Sequence, residues 1–218
     1  MRILIVGAGR LGAQMAKVLA TDTNELTLVD QDKQRLRRVA SELRVNAISG
    51  DACEPAVLEE AGAHAADLLI AATGEDEDNL VISLLAKRQF AVHRVVARVN
   101  DADNDWLFDS RWGVDVAVPA GAPLVSLIEE ATGATDTVAL LRLSTAGVNL
   151  IETTIERESQ AAGRTLGDIH LPPRSVVAAI IRGGRPSVPD ATWQLEPADE
   201  VLIVSETATE ADVRSAFQ

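Results

Sequence analysis

Short apolar runs alternate with longer segments of helical period through the first half of the chain. Residues 3–6 (ILIV), 26–29 (LTLV), 45–49 (VNAIS), 67–73 (DLLIAAT), 94–99 (RVVARV) and 114–119 (VDVAVP) read as six strands. Between them, Leu11, Met15, Val18 and Leu19 mark the inward face of one helix, and Leu36, Val39 and Leu43 that of a second, "DKQRLRRVASEL". "EPAVLEEAG" is a short helix with Pro55 in its first turn, and "EDNLVISLLAKRQF" is a further helix. Most of the strands are unbroken apolar runs, the pattern of a parallel sheet covered on both faces. The expected fold is therefore α/β, a doubly wound Rossmann-like sheet.

After "PLVSLIEEATG" the pattern changes. Residues 137–143, 149–156, 175–182 and 200–204 read as strands, while "SQAAGRTLGDI" (159–169) and "TEADVRSAF" (209–217) read as helices. "RGGRPSVPD" supplies turn residues. The expected organisation is a Rossmann-like domain over 1–120, a connecting helix over 121–134 and a small α+β domain over 135–218. The connecting helix carries an apolar strip of Leu124, Leu127 and Ile128, which needs cover from another chain.

The formal net charge of -13 argues against nucleic acid and against an anionic membrane surface as direct partners. The single cysteine, Cys53, fits a reducing compartment. No apolar stretch approaches the length of a membrane span, and the N-terminal apolar run is too short for a signal peptide. The expected location is cytoplasmic, at the membrane only through a partner.

The first strand runs into "GAGRLG", with glycines at Gly7, Gly9 and Gly12. Gly7 suits the tight strand-to-helix turn, Gly9 a close backbone approach to phosphate, and Gly12 close helix–strand packing. Phosphates then sit on free N–H groups at a helix N-terminus. Asp30 closes the second strand, about 20 residues on, where an acid grips a ribose diol and repels a 2′-phosphate. NAD(H), ATP or ADP is thus favoured over NADP(H); a cap of the following helix is the other reading of Asp30. Arg10 can pair with phosphate oxygens or lie solvated. Thr73 and Gly74 end the fourth strand on the ligand edge. Asp51 ends the third, facing adenine or ribose, or capping a helix. Arg98 ends the fifth, as a second phosphate contact or a salt-bridge partner. "GEDEDN" (74–79) lacks EF-hand spacing, and its acids suit a helix start better than a metal.

Catalytic groups are scarce. There is no tyrosine; Lys17, Lys33 and Lys87 fall on helices; and none of His64, His93 and His170 ends a strand. No general acid–base pair emerges. A small NAD-dependent oxidoreductase is an alternative that the fold alone supports.

"MRILIVGAGRLGAQMAKVL", "LVDQD", "ISGDA", "LLIAATGEDEDNLVISLLAK" and "RVVARVND" resemble the nucleotide-binding domain of Trk/Ktr potassium-uptake regulators, also called the RCK domain. The segment from "IETTIERESQ" to "EVLIV" resembles that family's C-terminal ligand-binding domain. The resemblance implies a cytosolic regulator that binds NAD(H) or adenine nucleotide and controls a membrane potassium transporter subunit. It implies Gly7, Ala8, Gly9, Arg10 and Leu11 for the phosphate loop, Asp30 for ribose, Thr73 and Gly74 for the nicotinamide or phosphate side, and Arg98. In some members the second domain takes a further ligand such as cyclic di-AMP; residues 137–205 do not establish one here. Some members carry two tandem copies of the unit. With one copy, a ring requires a homo-oligomer or a paired regulator chain.

Overall fold

The computed structural model describes residues 1–43, 45–133, 135–143 and 147–218, with Ala122 and Glu130 described by backbone alone. It divides into two units, Met1–Gly121 and Ala122–Gln218. The expected boundary at residue 134 lies outside the described residues.

In the first unit, strands β1 (Arg2–Val6), β2 (Glu25–Asp30), β3 (Asn46–Ser49), β4 (Leu68–Ala71), β5 (Arg94–Val99) and β6 (Val116–Pro119) form one sheet in the order β3-β2-β1-β4-β5-β6. All neighbours are parallel. Helices α1 (Arg10–Leu19), α2 (Lys33–Leu43), α3 (Pro55–Glu60) and α4 (Asp76–Arg88) connect them. Alternate residues of β1 serve opposite faces. Leu4 and Val6 join a core with Leu58, Leu69, Ile82 and Phe90; Ile3 and Ile5 join another with Ala16, Leu28, Leu36 and Val39. Two buried faces explain why these strands read as continuous apolar runs. Chain order reverses between β1 and β4, and such a switch point opens a crevice at the carboxyl ends of the strands.

Helix α1 meets the expectation in part: Met15 and Leu19 pack against the core, but Val18 does not. The buried residues of the helix are Gly12 and Ala16, whereas Leu11, Met15 and Leu19 are half-buried and Val18 is 74% exposed. The cause is proximity: a Cβ on Gly12 would lie 1.8 Å from the Gly7 carbonyl oxygen. A helix this close to its strand buries only Gly12 and Ala16, while Ala13, Met15 and Leu19 pack half-buried against the same core.

In the second unit, α5 (Ala122–Thr132) precedes strands β7 (Thr137–Leu143), β8 (Val148–Thr154), β9 (Ser175–Arg182), β10 (Arg185–Ser187) and β11 (Glu200–Ser205), and α6 (Glu210–Phe217) ends it. The strands form an antiparallel sheet, β10-β9-β11-β8-β7. Ile151, Ile180, Val201 and Ile203 pack with Leu195, Val213 and Phe217.

Two expectations are corrected here. Residues 159–169 form turns with one 3-10 turn at Leu166–Asp168, not a helix. Their N–H groups bond elsewhere: Gly163 donates to Leu195 O, Leu166 to Trp193 O and Gly167 to Ala191 O. "RGGRPSVPD" is not turn alone but contains strand β10. Gly183 and Gly184 both take positive φ, as the favoured two-residue hairpin turn requires. Pro186 is tolerated because β10 is an edge strand.

One buried carboxylate secures the loop behind β5. Asp76, the first residue of α4, accepts from Asn100 N (2.6 Å), Asn100 Nδ2 (3.0 Å), Asp101 N (3.0 Å) and Asn104 Nδ2 (2.9 Å). Burial raises its pKa, but these donors outweigh that effect and hold it below the usual carboxylate value. A depressed folded pKa adds stability that is present above the unfolded value of about 3.9 and lost as pH falls through the folded value. Asp76→Asn is therefore expected to cost roughly 1.5–3 kcal/mol at neutral pH. In thermal unfolding, the gap between variant and wild type should close below about pH 4. A gap independent of pH would mean that the charge contributes nothing.

Candidate functional site

A cavity of about 650 Å³ lies at the carboxyl edge of the first sheet. Gly7, Gly9, Arg10, Asp30, Asp51, Thr73, Gly74 and Arg98 all line it. Ala8, Leu11 and Gly12 do not; they act behind the lining.

The three glycines of the loop have different roles. Gly7 has φ +99°, and a Cβ there would lie 2.6 Å from Ala72 O. Gly12 is needed for helix packing, as described above. A Cβ on Gly9 would meet nothing within 4 Å, so its missing side chain keeps the cavity itself clear. Gly9 is also the N-cap of α1, and no side chain caps that helix. The positive end of the helix dipole therefore faces the cavity.

Asp30 braces this loop. Its Oδ2 accepts from Ala8 N at 2.6 Å and its Oδ1 from Asp32 N at 2.8 Å. The reading of Asp30 as a cap of the next helix is corrected: Asp32 Oδ1 accepts from Gln34 N and Arg35 N at the start of α2. Arg35, absent from the expected site, lines the cavity and lies 3.5 Å from Asp30 and 3.4 Å from Asp32.

On the opposite wall, Thr73 and Arg98 are positioned by a residue that the sequence reading missed. Asn79, in the first turns of α4, is fully buried. Its Oδ1 accepts from Thr73 N and Thr73 Oγ1, both at 2.9 Å, and its Nδ2 donates to Arg98 O at 3.0 Å. One amide thus joins the ends of β4 and β5. Arg98 Nε is shut off from solvent and has no hydrogen-bond partner. Among the described residues no carboxylate pairs with Arg98. Arg98 itself lines the cavity, and a guanidinium without a carboxylate partner suits an anionic ligand group. A Cβ on Gly74 would also meet nothing within 4 Å, which leaves room beside it.

The third edge of the cavity is acidic. Asp51 Oδ1 accepts from Cys53 N at 2.9 Å and so closes a local turn. Asp78 lines the cavity and lies 3.6 Å from Cys53 Sγ. Burial first, then the Asp78 and Asp51 charges, push the thiol up to about 12, so Cys53 stays protonated. The acids of "GEDEDN" diverge, Asp76 toward the loop behind β5 and Asp78 toward the cavity. Among the described residues, no three His, Cys, Asp or Glu side chains gather as a metal site needs. No helix among them is long and apolar enough to cross a membrane.

The cavity thus brings together an uncapped helix end, open glycines and Arg98, features that suit an anion. Known proteins are similar over the same extent. The TrkA-N domain model matches residues 3–120 and the TrkA-C domain model residues 150–218. The Trk system potassium uptake protein TrkA of Mycobacterium tuberculosis is 40% identical over 213 residues, covering 98% of this chain and 96% of that one. Among solved structures, the GsuK channel bound to NAD aligns with TM-score 0.59 at 17% identity, over 99% of this chain and 39% of that chain. The Shewanella denitrificans Kef C-terminal domain in AMP-bound form aligns with TM-score 0.53 at 24% identity, over 67% of this chain and 86% of that chain. With both domain models matched in order, and with that relative matched along nearly its whole length, the chain belongs to the TrkA family of potassium-uptake proteins.

Proposed function

We propose that this chain is a regulatory subunit of a potassium-uptake system. It binds NAD(H), ATP or ADP in the cavity of its first unit and thereby gates a separate membrane transporter. The observation that carries the reading is that the uncapped α1 N-terminus and Arg98, which no carboxylate pairs with among the described residues, line one cavity. Phosphates would lie between them, over Gly9 and beside Arg10. Asp30, fixed by Ala8 N and Asp32 N, presents its remaining lone pairs to the ribose. Asp51 and Ala52 face the adenine end.

Regulation requires that the ligand favour one conformation over another. A coupling of about 1–3 kcal/mol is enough to change a gate several-fold or more. The connections from Arg98 and Thr73 through Asn79 into α4 supply a physical link between ligand and scaffold. The reading also requires a docked state. Leu124, Val125, Leu127 and Ile128 of α5 are all more than half exposed, a strip suited to a second copy or a paired regulator chain.

Three outcomes test this reading. First, Gly9→Val should abolish binding of NADH and ATP in calorimetry while leaving the ligand-free melting temperature near wild type. Wild type should gain roughly 2.7 kcal/mol of stability at about 100 times the dissociation constant. Retained affinity in Gly9→Val would falsify a phosphate site at this loop. Second, light scattering at micromolar concentration should give at least a dimer, reduced by Leu127→Asp with Ile128→Asp; a strict monomer counts against docking through α5. Third, in cells lacking the gene, wild type should restore regulated potassium uptake, whereas Gly9→Val and Arg10→Ala should leave it weak or ungated. Equal rescue by all three, or turnover of bound NADH at 340 nm with a substrate pool, sinks the regulatory assignment.

A further inference from the structure

An acid at the end of the second strand favours a free ribose diol, whereas an arginine nearby accommodates a ribose 2′-phosphate. This cavity holds both. Arg35 lies five positions beyond Asp30, and its guanidinium approaches Asp30 Oδ2 at 3.5 Å and Asp32 Oδ2 at 3.4 Å. Those separations exceed the about 2.7–2.9 Å of a charge-assisted hydrogen bond, so the guanidinium is near the acids without being locked to them. Its side chain is 45% exposed, with freedom to turn.

The acids are correspondingly occupied. Asp30 already accepts from Ala8 N and Asp32 N, and Asp32 Oδ1 from Gln34 N and Arg35 N. A carboxylate with two such bonds and a nearby cation repels an incoming phosphate less than a free one. Space is also available. A second hollow of about 460 Å³, lined by Asp32, Gln34, Arg35 and Arg38, shares Asp32 and Arg35 with the main cavity. A phosphate reaching it from the ribose would meet two guanidinium groups and one carboxylate, Asp32.

We propose that Arg35 is a specificity-determining residue: it sets how strongly the cavity rejects a phosphate on the nucleotide ribose. The inference rests on the nucleotide-binding reading above and refines it. Asp30 biases the site toward the free diol, and Arg35, backed by Arg38, offsets that bias. The wild-type preference for NADH over NADPH is therefore modest, and it is held down by one side chain.

The test is a pair of titrations, NADH and NADPH, on the full chain and on Arg35→Ala, Arg35→Lys and Arg38→Ala. In Arg35→Ala the ratio of the NADPH to the NADH dissociation constant should rise roughly fivefold, the scale of a solvent-exposed charge contact. Arg35→Lys should retain most of the wild-type ratio, and Arg38→Ala should shift it in the same direction by less. Added salt should weaken NADPH binding more steeply in wild type than in Arg35→Ala. If Arg35→Ala weakens both ligands equally, the residue only braces Asp30 and the proposal is overturned. An unchanged ratio overturns it as well. If wild type binds neither dinucleotide but does bind ATP, this inference falls and the nucleotide reading stands; if it binds none of NADH, NADPH and ATP, both fall together.

Discussion

Helix α1 lies against β1 at a distance that no side chain allows. Gly12 sits where a Cβ would lie 1.8 Å from the Gly7 carbonyl oxygen, and Gly7 itself takes a φ of +99° beneath Ala72. Much of the site depends on that contact. It aims the helix N-terminus into the crevice between β1 and β4, and it holds the Gly9 amide at the cavity wall. Gly12 and Ala16 are buried at the contact, Met15 and Leu19 pack half-buried against the same core, and Val18 faces solvent.

Charge is arranged on the same frame. The chain carries a net charge of -13, yet three arginines reach the cavity, Arg10, Arg35 and Arg98. The carboxylates there are engaged by neighbouring donors: Asp30 by Ala8 and Asp32, Asp32 by the first amides of α2, Asp51 by Cys53 N, and Asp78 by the Cys53 thiol. Arg98 Nε, itself a donor, finds no acceptor among the described residues. An acidic protein thus maintains a place for an anion by directing local donors to its acids.

The doubly wound sheet and the glycine loop were legible in the sequence because they follow from periodicity and from the missing Cβ atoms. Eight of the expected site residues line the cavity for the same reason: strand ends and loops are marked by composition. What was hidden depends on long-range pairing. Residues 159–169 have helical composition, but Gly163, Leu166 and Gly167 donate to residues 191–195, and Gln160 and Ala161 to residues 217–218, which no local pattern reveals. Asn79 stands among charged neighbours in "GEDEDN", and only the closed fold shows it spanning the ends of β4 and β5. Arg35 reads as one exposed charge of an amphipathic helix until Asp30 and Asp32 are placed beside it. The bond from Ala8 N to Asp30 is hidden likewise, since it crosses from the loop after β1 to the end of β2.

That bond and the Asn79 amide have a joint mechanical consequence. Asp30 fastens the loop of β1 to β2, and Asn79 fastens the end of β4 to β5, so each side of the crevice is braced within itself. Across the crevice the halves meet through the β1–β4 ladder and the backbone of Gly7 against that of Ala72. The sheet edge is therefore a pair of stiff jaws sharing one seam. A molecule long enough to touch both Gly9 and Arg98 would span that seam, so its length would decide whether it engages one side or both.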